Sequence, residues 1–287
     1  MSLAIEASGT LHEAERGDTV RRIAREGDPD RSLAVLFAPP DARPDLFALY
    51  AFNVELARIA EQVSEPDLGA IRLQWWHEAI ECATHGEAAG HPVADAVGAM
   101  IKDRTLPLER IAALIDARTF DVATRIMPDW PALEAYLRDT AGALFALAAE
   151  CLGAREPSLA RAAAASGMAY GLTGLMRALP VHARKGRVYL PADALIRHGT
   201  SPERILAGET SEDLLAVLAE LRGKARGALA EAQRHVAELD AGSRRAFLPL
   251  CLIDPYLAAL EKSGRDPLRE IADINPLYRL WRMARWH

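Results

Sequence analysis

The feature that most constrains this chain is a helical rhythm of apolar residues with no strand-like alternation anywhere beside it. Between Asp45 and Val63 the stripe reads Leu46, Leu49, Tyr50, Asn53, Leu56 and Ala60, and Phe52 and Ile59 widen it. That is the spacing of one helix face. Ala and Leu are abundant and β-branched residues few, which favours helix throughout. Half of the 287 residues are hydrophobic and 26% are charged, enough apolar surface for one sizeable core. The reading is an all-α, single-domain fold.

Punctuation sets the expected boundaries. A helix over Thr19–Glu26 ends at Asp28, Pro29 and Asp30, and a short one follows at Arg31–Phe37. Asp45 caps the long helix to Val63, Pro66 stops it, and Asp67–Thr84 comes next with Leu68, Ile71, Trp75 and Ile80 inward. Further helices are expected at Val93–Met100, Pro107–Ile126, Trp130–Leu152, Ser158–Ala178, Ala192–His198, Glu212–Glu238 and Arg244–Lys262, with a last one from Pro276 onward. Residues 1–27 read as an N-terminal extension with a short helix, and 28–287 as the helical domain.

Composition excludes several classes of function. With a formal net charge of −6, the chain lacks the general basic face that nucleic-acid binding requires. No apolar run approaches the roughly 18 residues of a spanning helix. The first residues carry mixed charges and no apolar core, so no secretory signal is expected and the predicted location is cytoplasmic. Cys82, Cys151 and Cys251 are far apart and form no metal-binding or disulfide pattern, so all are expected to be buried thiols.

Two segments then carry a resemblance. FALYAFNVELARI at Phe47–Ile59, followed by RLQWWHEAI at Arg72–Ile80, is similar to the first motif of the squalene/phytoene synthase superfamily. YGLTGLMRALPVHARKGRVYLP at Tyr170–Pro191 is similar to the second, down to the terminal GRxYLP. The resemblance runs from about residue 28 to 285. It implies an isoprenoid-synthase-like fold with a central cavity, and in active members a Mg²⁺-dependent condensation of two prenyl diphosphates. Mg²⁺ needs hard oxygen ligands, which carboxylates spaced i, i+4 present from one helix face.

This chain departs at those positions. The DDxxD of active members falls on Ala57, Arg58, Ile59, Ala60 and Glu61, and the second acidic pair on Ala178 and His182. Alanine has no ligand atom. Arg58 beside the metals would repel a divalent ion by roughly 8 kcal/mol at about 4 Å and an effective dielectric near 20. Pro180 is expected to end or kink the second helix and to push Leu179 out of helical geometry. AFNVELA, VSEP, RLQWW and LMRALPVH resemble the branch of the superfamily formed by complex I assembly factor six, which lacks the same acids. That resemblance implies a non-catalytic protein whose partner is a complex I subunit or assembly intermediate, with an isoprenoid or lipid as ligand and no cofactor. Mg²⁺ enters only under the alternative of an active prenyltransferase; a metal-free prenyl diphosphate binder is the third reading.

The candidate residues each have a plainer explanation. Glu61 and Glu65, one turn apart with Glu55 nearby, are a displaced metal site or a solvated acidic face. Arg177, Arg184, Lys185 and Arg187 are a diphosphate clamp or a solvated loop. Arg31 and Ser32 fall where the superfamily, by that resemblance, contacts phosphate, and Tyr50 is a further ligand-binding candidate. His182 is a base, a metal ligand or an ordinary loop histidine. Trp75 and Trp76 point in different directions, one into the core and the other a candidate for the cavity wall. The C-terminal PLYRLWRMARWH alternates Arg279, Arg282 and Arg285 with Tyr278, Trp281 and Trp286, which suits peripheral contact with an acidic inner membrane or packing on the fold.

Overall fold

The computed structural model describes residues 2–63 and 65–286, with side chains from residue 15 onward. The helices α1 (Ser2–Gly27), α2 (Pro29–Val35), α3 (Arg43–Gln62), α4 (Pro66–Thr84) and α5 (Pro92–Arg104) come first. Shorter α6 (Leu108–Ala117), α7 (Thr119–Ala123) and α8 (Trp130–Leu137) follow, and a π-helical turn, Arg138–Gly142, joins α8 to α9 (Ala143–Cys151). Then come α10 (Leu159–Arg184), α11 (Ala192–Arg197), α12 (Pro202–Leu206) and α13 (Glu212–Val236). A 3-10 stretch, Ser243–Leu252, precedes α14 (Ile253–Leu260) and α15 (Pro276–Ala284). Among the described residues no strand forms; one parallel bridge pairs Ile126 with Val188.

Prolines open helices here more often than they close them. Asp28 accepts from the Arg31 backbone N–H and Pro29 sits in the first turn, so the triplet expected as a break also starts α2. Pro44 opens α3, which leaves Asp45 inside the first turn rather than at the cap. Pro66 opens α4. The expected helix over 107–126 breaks at Arg118 into α6 and α7.

Pro180 does not end its helix. α10 runs on to Arg184, with Leu179 and Pro180 both buried. An interior proline costs about 3 kcal/mol, and α10 recovers it by packing along α13, α9 and the π turn. The expectation that Pro180 disrupts the second motif is therefore overturned.

α3 sits at the centre. Every residue from Leu46 to Val54 is buried, so it meets neighbours all round. Phe52 packs edge-on to Trp76 of α4 at 5.3 Å between centroids, and Phe145 stacks on Phe247 at 5.4 Å. Side chains of this size contribute about 1.5–3 kcal/mol each when fully buried. Val20, Ile23 and Ala24 of α1 belong to the same core, and α1 is longer than the expected Thr19–Glu26. Ile80 is buried as expected, but the rest of α4 turns the other way: Leu73 and Trp76 are buried, whereas Leu68, Ile71 and Trp75 are exposed. Cys151 and Cys251 are buried, with burial pushing both thiols up to about 12, but Cys82 is exposed.

Candidate functional site

A cavity of about 360 Å³ opens between the C-terminal halves of α3 and α10, and both sequence motifs reach it. Small residues keep it open. Ala57 and Ala60 of α3 and Gly174 and Ala178 of α10 line it, and a Cβ on Gly174 would meet nothing within 4 Å. The far wall is the π turn with its flanks, Leu137, Thr140, Ala141 and Leu144. That turn is drawn close to α10 because both backbones are bare at the crossing: a Cβ on Gly167 would lie 2.4 Å from the Gly142 nitrogen.

The floor is a buried polar network. Arg118 donates to Asn53 Oδ1 at 2.7 Å, to Asp121 Oδ2 at 3.0 Å and to the Tyr136 hydroxyl at 3.1 Å. Asp121 also accepts from Tyr136 at 3.2 Å and from Tyr189 at 2.7 Å. Tyr189 is delivered by the GRVYLP segment, which Val188 anchors through 2.8 Å backbone bonds to Arg125 and Met127. Burial raises Tyr136 and Tyr189 above the usual phenol range, so both hold their protons as donors. Burial alone would lower Arg118; the Asp121 carboxylate, with the Tyr136 hydroxyl oxygen accepting beside it, outweighs burial, and the guanidinium stays charged. Arg187 serves as a strut, giving its protons to the carbonyls of Asp121, Ala60 (3.0 Å) and Thr124 (3.4 Å).

The positions expected to be degenerate do converge. Ala57, Glu61, Ala178 and His182 all line the cavity, so the i, i+4 pair on α10 shares one face despite Pro180. Burial holds His182 neutral down to about pH 4, with its ring 4.7 Å from that of Tyr189. Arg58 is the exception. It pairs with Glu55 at 3.7 Å and does not line the cavity, so the argued repulsion of a divalent ion by Arg58 does not operate. Glu61 meets Lys185 at 2.8 Å, closing an ion pair across the mouth from α3 to the end of α10. Two alanines, an imidazole and one carboxylate already matched by an ammonium do not fit a Mg²⁺ cluster. Among the described residues no group of three or more His, Cys, Asp or Glu side chains converges to hold a metal.

The basic candidates are dispersed. Arg31 lines the inner end of the cavity, hydrogen-bonded to Asp28 at 2.8 Å and lying 4.3 Å above the Tyr170 ring. Its Nη2 is buried without a hydrogen-bond partner. Ser32 and Tyr50 are buried nearby and do not line the cavity. Arg184 is exposed and no hydrogen bond or ion pair joins it to a described residue. Arg177 faces away from the cavity. It stacks 3.5 Å above the Tyr256 ring, donates to the Ala272 carbonyl at 3.0 Å and pairs with Asp30 and Asp273. Arg279 joins that cluster 3.3 Å from Asp30, and the Tyr256 hydroxyl donates to Asp30 at 2.7 Å. Burial raises the Asp30 carboxyl; the Tyr256 bond and the two arginines pull against it. Trp75 and Trp76 border a separate small cavity with His91.

The match to the squalene/phytoene synthase family model covers residues 24–282. The chain belongs to the squalene/phytoene synthase family. Among curated relatives it is 29% identical over 244 residues to NADH dehydrogenase (ubiquinone) complex I, assembly factor 6 of Mus musculus, covering 85% of this chain and 73% of that one. The Homo sapiens protein of the same name is 27% identical, covering 89% and 78%. Phytoene synthase 1, chloroplastic, of Solanum lycopersicum is 26% identical, covering 82% and 58%. Squalene synthase HpnC from Alicyclobacillus acidocaldarius superposes with a TM-score of 0.77 at 22% identity, covering 91% and 97%. A dehydrosqualene synthase reaches 0.79 at 16%, covering 96% of each chain. The all-α isoprenoid synthase fold is thereby shown.

Arg118, Asp121, Tyr136 and Tyr189 carry the floor of the site and escaped the sequence reading. Tyr189 stood inside a quoted motif. The other three come from α7 and its flank and from α8, and no local pattern marks them as partners of Asn53.

Proposed function

We propose that this family member is a non-catalytic assembly factor for respiratory complex I, keeping the cavity of its fold without the metal chemistry. The observation that carries the reading is the mouth between α3 and α10, where Ala57, Ala178 and His182 offer no carboxylate and Lys185 neutralises Glu61. The assembly factor names of its curated relatives support a link to complex I, and we take a complex I subunit or assembly intermediate as the client. Hydrophobic walls over a polar floor suit a small ligand with an apolar body and one polar end, of the isoprenoid or lipid kind. Binding of a prenyl diphosphate without metal is less well supported, because an anion recruited to Arg177 has to displace the internal carboxylates of Asp30 and Asp273.

Two measurements test the proposal. Deletion of the gene lowers assembled complex I on native gels, and re-expression restores it; normal complex I in the deletion strain overturns the reading. Purified protein supplied with farnesyl or geranylgeranyl diphosphate, Mg²⁺ and NADPH releases no diphosphate beside an active synthase. Turnover that chelation abolishes overturns it too.

A further inference from the structure

The last helix presents a face that no other part of the described chain covers. Leu277, Leu280, Trp281 and Ala284 fall on one stripe of α15, and Leu277 is 76%, Trp281 50% and Leu280 43% exposed. Tyr278 is exposed at the edge of the stripe and stacks on Trp281 at 5.6 Å. The opposite side is fixed to the fold: Met283 is buried, Arg282 donates to the Cys251 carbonyl at 2.9 Å and Arg279 reaches Asp30. The helix is therefore held rigidly with its apolar side outward.

Charge points to what covers that side. Of the arginines on this helix, Arg279 and Arg282 are turned into the fold, Arg279 paired with Asp30 and Asp273 and Arg282 on the Cys251 carbonyl, which leaves Arg285 at the margin of the apolar stripe. Arg285 lies 5.2 Å from the Trp281 ring and no described acid pairs with it. Behind Ala284 and Trp286 runs a groove lined by Phe37, Leu248 and Met283, and Arg245 on its opposite bank is exposed without an ion pair. The other exposed stripe, Leu68, Ile71 and Trp75 on α4, has one arginine beside it, Arg72, but stands with the acids Asp67 and Glu78 on the same helix.

We propose that α15 docks this protein on an anionic bilayer surface, with Leu277, Leu280 and Trp281 seated at the level of the headgroups and Arg285 and Arg245 facing lipid phosphates. Aromatic and leucine side chains on one face with basic residues at its margin are the pattern of a helix lying in the interface plane. The local basic patch orients a chain whose net charge of −6 would otherwise repel it from such a surface. The inference stands independently of the assembly role, since it needs only the described surface.

The test is co-sedimentation of the full chain with vesicles of phosphatidylcholine alone and of phosphatidylcholine mixed with phosphatidylglycerol. The expected result is binding to the mixed vesicles that falls as salt is raised. Leu277→Asp with Leu280→Asp lowers it by at least about tenfold, and Arg285→Ala and Arg245→Ala lower it about fivefold each. These side chains are exposed, so the variants keep the wild-type melting temperature. Brominated lipid quenches tryptophan emission in the wild-type protein and less in Trp281→Phe. Absence of wild-type binding overturns the proposal. So do equal binding to both vesicle types and retention of binding by the double leucine variant. Vesicle binding that fails while the leucine variant loses a protein partner or self-association assigns the face to a protein instead.

Discussion

α10 shows two opposite ways of removing charge from one helix. On the face toward α3, acids are absent: Ala178 and His182 look across at Ala57, and the remaining Glu61 is met by Lys185. On the face toward α14 and α15, bases are present in number and acids have been brought to them: Arg177 and Arg279 are matched by Asp30 and Asp273. A helix that holds a metal-bound diphosphate needs carboxylates on the face toward the metal and cations free to reach the phosphate. Here both faces are internally balanced, and the cavity beside the first holds phenols, a neutral imidazole and the internally paired Arg118 and Asp121.

The sharpest way to break that contrast is at Asp30. Removing it leaves two guanidinium groups, one of them largely buried, with only the half-exposed Asp273 as carboxylate partner, and breaking a buried pair by deleting one partner typically costs about 3–5 kcal/mol. Asp30→Ala is expected to lose that much in denaturant unfolding. Inorganic pyrophosphate should then raise the melting temperature of the variant and leave the wild type unmoved. A loss below about 1 kcal/mol, or no effect of pyrophosphate, means that the arginines are held by Asp273, Tyr256 and the Ala272 carbonyl instead.

The converse change loads the first face. Because Ala57, Ala178 and His182 converge on one cavity, their joint replacement by Asp crowds three carboxylates beside Asp121. The expected cost without metal is about 2–4 kcal/mol through mutual repulsion and burial. Mn²⁺ or Mg²⁺ should return most of it, read as a metal-dependent melting shift absent in the wild type. If no metal shift appears, the two helices are too far apart or too rigid at this mouth for shared ligands.

His182 gives a pH test of the same face. Its neutral form is favoured by burial, with the pKa lowered from 6.5 to about 4. Between those values the unfolded chain binds a proton that the folded chain does not. The contribution is complete above pH 6.5 and is lost as pH falls toward 4, up to about 2 kcal/mol after allowing for partial exposure. His182→Asn should flatten the stability curve across that window and leave it unchanged above pH 7. An identical acid limb in both proteins would show that the imidazole protonates freely in the fold.

How much of this was legible in the sequence follows from the range of each interaction. The helices and the two motif segments could be read because period and motif are local, and Ala57, Glu61, Ala178 and His182 were placed at the cavity by the resemblance of those segments to the family motifs, which put Arg58 there too although it does not line it. Whether Leu68, Ile71 and Trp75 or Leu73 and Trp76 join Ile80 inward on α4 could not be read, since both sets are apolar and the packing of α4 on α5, α7, α3 and α6 decides between them. Pro180 misled because its cost is local while the packing of α10 on α13 is not. Arg177 resembled a ligand-binding arginine until Asp273 and Arg279, about a hundred residues later in the chain, were seen beside it. Asp121 gave no warning, since its partners Arg118, Tyr136 and Tyr189 lie up to 68 residues away.

The smallest expected effect tests the contact that most invites overinterpretation. The Lys185–Glu61 pair is short at 2.8 Å, but its side chains are 41% and 44% exposed. Water and salt screen such a pair, and ordering two long side chains offsets much of the attraction, so its worth is about 0–1 kcal/mol. Lys185→Ala should therefore lower stability by no more than that, and added salt should erase the difference. Its consequence for the cavity is larger than its energy, because Glu61 then stands alone at the mouth as an unpaired carboxylate. If Lys185→Ala on the three-aspartate background tightens Mn²⁺ binding, the ammonium acts as a resident cation competing for the place between α3 and α10. If metal affinity does not change, the mouth is kept free of metal by its missing ligands alone, and Lys185 only tethers two helix ends.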